Sequence, residues 1–235
     1  MITENKLVTD LSLIMRNGRV SDDEPISRRQ LIYWVNNVRA KLLREDFMKG
    51  RSPSDNVIQA ISCVDVETVD ASLCCGITTD CNVLRTVTTI PRPIDGGTMD
   101  MITKVGPVAV GERPFSLVPM SRIPYIGHSP FAGINNEVRA VFDGGYIYIF
   151  IPDTDRIIKK INVEGVFEDP TEAGAFTSCT GDPCYTSDSI YPITANMIET
   201  MKQMILTTNF KIANSIGTDN KGDANFSVQP NIDRQ

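Results

Sequence analysis

The chain of 235 residues carries 23 Lys and Arg against 29 Asp and Glu, a net charge of −6, with 41% hydrophobic and 22% charged residues. That composition is neither disordered nor membrane-like, and the length supports a buried core without metal or disulfide staples. Its single histidine, His128, excludes a multi-histidine metal site and limits any Ser-His or Cys-His apparatus to one side chain.

In chain order, residues 1–55 read as helical. MITENKLVTD lacks a charged start followed by an apolar core, so no secretory signal is expected. Leu7, Val8, Leu11 and Ile14 recur at the spacing of one helix face. A polar break over 17–25 follows. Ser27, with Gln30 three residues on, has the form of a capping box. It opens a helix whose apolar stripe runs through Leu31, Trp34, Val35, Val38, Leu42 and Phe47, with Gly50 as terminator. Trp34 lies on that stripe and is expected in the core.

Residues 56–189 read as an inserted antiparallel β domain, rich in Val, Ile and Thr. Val83–Ile90 has the pattern of a strand that ends at Pro91. Val138–Phe142 and Tyr146–Ile151 form a hairpin pattern around Asp143-Gly144-Gly145, a strong turn signal. Residues 156–163 continue it, and prolines 107, 114, 119, 124 and 130 predict loops with short edge strands. Tyr191-Pro192-Ile193-Thr194 then starts a helix within 190–214, striped by Met197, Ile198, Met201, Met204 and Ile205. Residues 215–235 form an extended polar tail with isolated Phe226 and Val228, expected to be disordered or to order on a partner. The class is α+β: a small helical bundle of two N-terminal helices and the C-terminal one, carrying the β insertion.

No phosphate-binding glycine loop and no nucleophile elbow occurs, no run of 18 apolar residues could span a membrane, and no catalytic, cofactor or metal set stands out. The loop context of His128 offers no nucleophile or orienting acid. Asp153, Asp155, Glu164, Glu168 and Asp169 lack calcium-loop spacing and read as turn formers more readily than as acid and base. Of the six cysteines, Cys63, Cys74, Cys75, Cys81, Cys179 and Cys184, none forms a C-x-x-C pair. They read as buried thiols, with zinc and a Cys179–Cys184 bridge across Gly181-Asp182-Pro183 as the alternatives.

Charge is unevenly placed. Between Ser27 and Arg51, seven cations face two anions, a local charge of +5, so the rest of the chain carries −11. A basic helix in an acidic protein is either a solvated face or a contact with an acidic surface on a neighbouring copy or partner. A pI near 4.9 argues against a broad nucleic-acid footprint.

The stretch Ile26-Ser27-Arg28-Arg29-Gln30-Leu31-Ile32-Tyr33-Trp34-Val35-Asn36-Asn37-Val38-Arg39, continuing to Asp46, resembles the head–tail adaptor ring proteins of short-tailed phages. The likeness is greatest to those of crAss-like phages of Bacteroidetes. Tyr191 to Leu206 is similar as well, while Cys74 to Cys81 fits less. The resemblance implies a structural virion protein, made in the host bacterial cytoplasm, that assembles as a homododecameric ring. It implies docking beneath the portal, contact with other tail rings, and a channel through which DNA passes without sequence-specific binding. Arg28, Arg29, Arg39, Lys41, Arg44, Phe226 and Val228 are the expected subunit or portal contacts. Another virion or surface binding protein, or a glycan or cell-wall hydrolase using the β-region carboxylates, is the alternative reading.

Overall fold

Thr3 and Ser27 are extended residues whose hydroxyls accept from the amides of Lys6 and Gln30, satisfying helix N–H groups that have no internal acceptor. In the computed structural model, which describes residues 2–16, 26–70, 82–96, 101–109, 111–125, 137–151 and 157–211, they open α1 (Glu4–Met15) and α2 (Arg28–Met48). Gly50 ends α2 at φ +77°, a conformation that glycine adopts without a Cβ clash. The last helix, α3 (Ala195–Met204), continues as a π-helical turn through Phe210.

The three helices share one apolar cluster built on Leu7, Leu11, Leu31, Val35, Met201 and Ile205, with Trp34 half-buried against it. Ile14 departs from the expected stripe and is 48% exposed. The core row of α1 instead runs Leu7, Leu11, Met15, following the i, i+4 ridge. α2 also buries more than its apolar stripe predicts. Its C-terminal half turns Ala40, Leu43 and Phe47 onto Val57, Ile94 and Val166 of the β region.

Among the described residues the β region holds seven strands in the order β3-β7-β1-β2-β6-β5-β4. They are β1 (Gln59–Asp70), β2 (Asn82–Thr86), β3 (Ile102–Pro107), β4 (Ser116–Leu117), β5 (Arg139–Asp143), β6 (Tyr146–Phe150) and β7 (Lys160–Gly165). Pairing is antiparallel, as expected, except between β5 and the two-residue β4, which run parallel. The predicted hairpin forms at β5 and β6. Gly144 and Gly145, at φ +57° and +85°, make the two-residue turn, and Asp143 pairs with Tyr146.

The strand predicted over Val83–Ile90 leaves the sheet at Thr86. The buried Thr86 hydroxyl accepts from the Ile147 amide and replaces a backbone partner there. The sheet curls until its two ends meet, where the Phe115 amide donates to the Val105 carbonyl at 2.7 Å. At this contact the two edge strands, β3 and β4, lie beside each other, so that the sheet closes toward a barrel. Ile61, Val105, Ala140, Ile147, Ile161 and Val163 fill the interior.

The cysteine reading is corrected. Cys63 is bonded to Cys179, with Cα atoms 5.3 Å apart, and Cys184 is free. Cys63 sits at φ +57° in a bulge of β1, where pairing with β7 shifts between Ile61 and Val64. The bulge breaks strand alternation and re-aims the side chain. Cys74, Cys75, Cys81 and His128 lie outside the described residues.

A tight turn after β7, Pro170–Ala175, packs under Tyr185. A Cβ on Gly174 would lie 2.7 Å from the Tyr185 carbonyl oxygen, a backbone atom that cannot swing aside. Gly174→Ala should therefore cost about 1–3 kcal/mol, read as a lower denaturant midpoint with unchanged slope.

Candidate assembly face

α2 lies where the helices meet the barrel, and its polar residues divide between the inside and the outside of that junction. On the inside, Arg39 is fully buried. Its Nε donates to the Pro192 carbonyl and its Nη1 to the Phe167 carbonyl, both at 2.7 Å, and its guanidinium lies 5.8 Å from the Tyr191 ring centre. Tyr191 donates to Asn36 Oδ1 at 2.7 Å, and Asn36 Nδ2 donates to Asp169 Oδ1 at 3.0 Å. Asp169 also accepts from the Thr171 amide, which is the turn chemistry expected of it. One side chain thus ties the segment leading into α3, the start of the segment leaving β7 and α2 together. Burial pushes the Arg39 guanidinium down from its usual value, while Tyr191, Tyr185 and Asp169 oppose the shift. Burial also pushes the Tyr185 and Tyr191 phenols up.

Glu4, only 2% exposed, borders this network. Burial raises its carboxyl, Asp169 adds to the rise, and Arg28 opposes it. A raised carboxyl means the folded state disfavours the charged form. The cost is present above the folded value and vanishes below the ordinary 4.5, where both states are protonated. Glu4→Gln should therefore melt higher than the wild type at pH 7. The advantage should shrink as pH falls toward 4.5, a trend checked by thermal unfolding across that window.

On the outside, α2 forms one wall of an open-sided cleft of about 480 Å³. Tyr33, Asn37, Lys41 and Arg44 stand on the helix side, and Arg92, Glu168 and Glu172 on the other. Arg44 bridges the walls by an ion pair to Glu168 at 2.5 Å. Burial raises the Glu172 carboxyl, with Asp169 and Glu168 adding to the rise.

The expected contact residues therefore separate. Arg28 is exposed and hydrogen-bonds Asn5, Arg29 and Lys41 are exposed, and Arg44 is half-exposed in its ion pair. Arg39 is a correction: a fully buried guanidinium cannot present a surface to another chain in this fold. Phe226 and Val228 lie outside the described residues. So do Asp153 and Asp155, whereas Glu164 pairs with Lys104 at 2.7 Å across β3 and β7. Sequence reasoning missed Asn36, Tyr191 and Glu4, although an Asn amid the apolar residues of α2 was a usable signal. Among the described residues, no cluster of His, Cys, Asp and Glu could hold a metal ion, and no helix is long and apolar enough to cross a membrane.

Comparison with known families matches residues 6–232 to phage tail ring protein 2, a family of crAss-like phages. The chain belongs to that family. It is a structural component of the phage tail, and the matched span of this ring protein takes in all of α1 but its first two residues, together with α2, the β middle and α3. No curated protein matches the chain.

Proposed function

We propose that this ring protein assembles as a closed ring of twelve identical copies. The ring docks beneath the portal, extends the DNA channel and joins the capsid to the tail. The observation that carries the reading is the tail-ring family match over residues 6–232.

Ring closure needs two different, complementary faces on each subunit. The +5 of the α2 segment against −11 elsewhere supplies opposite charges for such a contact. Arg28, Arg29, Lys41 and Arg44 form its basic side toward a neighbour or the portal, and Phe226 and Val228 add apolar contact from the tail. The acidic remainder lines the channel, where like charge keeps phosphates from sticking. The other partners are the adjoining tail rings; no cofactor and no membrane takes part.

Mass photometry and negative-stain microscopy of the purified full chain test this. The expected result is annular particles of about twelve times the 26.0 kDa chain mass. A monomer at every concentration tested would overturn it.

A further inference from the structure

The outward row of α2 is built unlike a solvated helix face. Tyr33, Asn37, Lys41 and Met48 follow one another at four, four and seven residues, which keeps them on one side of the helix. Tyr33 is 65% exposed and Met48 67%, among the most exposed large apolar side chains described. About 22 Å separates them at 1.5 Å per residue, the scale of a protein contact rather than a ligand. Between them lies the cleft of about 480 Å³. Enclosed small-molecule sites are mainly apolar. This one is open-sided and lined by cations and carboxylates, which suits a protein surface bearing its own charges.

The charge left over on this side of α2 is net positive. Among the described residues, Arg39, Arg44 and Arg51 are taken by acceptors within the chain: two carbonyls, Glu168 and Asp46. Arg29 and Lys41 have no such acceptor; against them the exposed Glu45, four residues beyond Lys41, has no cation partner, so this side keeps a net +1. An exposed Tyr beside an unpaired cation is the composition of an interface anchor. The complementary charge is abundant on the same molecule, since the chain outside this segment carries −11.

We infer that the Tyr33–Met48 face of α2, with its cleft, is the socket that receives an acidic surface of the next copy, Tyr33 being the anchor and Lys41 the charge partner. This rests on the ring reading above and names the site through which the ring closes. Arg44, held by Glu168, forms the part of the basic side that shapes the cleft wall.

The test uses the purified full chain with Tyr33→Ser and Lys41→Glu as separate variants. Neither side chain is buried, so both variants should melt like the wild type. Each should raise the concentration at which rings form by roughly tenfold or more, as loss of an anchor does. A photo-cross-linking residue at position 33 should give a covalent dimer of the chain. Wild-type rings with both variants equally competent would overturn the socket and leave the ring standing. No wild-type rings would overturn the ring reading and the socket with it. If Tyr33→Ser melts early, the cross-link decides: a covalent dimer formed through position 33 supports the socket, and assembled rings that give no dimer through position 33 overturn it.

Discussion

Arg39→Met is expected to melt roughly 10 °C below the wild type, as a loss of about 3–5 kcal/mol does in a chain of this size. Methionine keeps much of the volume but none of the donors. The carbonyls of Pro192 and Phe167 would stay buried without partners, each at a cost of about 1–3 kcal/mol. Arg39→Lys should recover only part of the loss. An ammonium on a flexible stem lacks the fork that reaches both carbonyls and the face of Tyr191. Charge reversal at Arg28 or Arg44 should act on assembly with little effect on melting. An Arg39 variant that melts normally and yet forms no rings would return this residue to the contact set.

The second large effect concerns the Cys63–Cys179 bond. It links positions 116 residues apart, joining β1 to the loop beyond β7. Closing a loop of about 100 residues restricts the unfolded chain by roughly 4–5 kcal/mol in the chain-entropy account. Oxidised wild type should therefore melt about 10–15 °C above Cys63→Ser. Reductant should bring the wild type down to the variant and leave the variant unchanged. Equal melting of oxidised wild type and variant would show that the bond contributes nothing. Peptide mapping without reduction should recover Cys63 joined to Cys179, with Cys184 alkylatable.

Much of the fold was legible because its signals are local. The Ser27–Gln30 cap, the glycines between β5 and β6, and the Met201–Ile205 stripe each act within a few residues, and each forms as read. What stayed hidden depends on distant partners. The acceptors of Arg39 are backbone carbonyls 128 and 153 residues away, and a carbonyl carries no residue-type signature. An arginine in a basic helix therefore looked like surface. The pairing of Cys63 was hidden by the bulge that re-aims it, while the nearby Cys179 and Cys184 looked like natural partners. Barrel closure at Phe115 and Val105 depends on how far the sheet curls, which strand patterning does not encode. The assembly face was half legible. Its charge showed in the count between Ser27 and Arg51, but only the fold shows which cations remain unpaired and that Tyr33 stands among them.

Electron cryomicroscopy of the intact virion, with this chain traced in the neck, tests the central claim most directly. The account predicts twelve copies in one closed ring below the portal, with α2 of each copy against its neighbour and the channel wall predominantly acidic. Finding the chain only in capsid or fibre density, or in a ring whose lumen is lined by Lys and Arg, would contradict it.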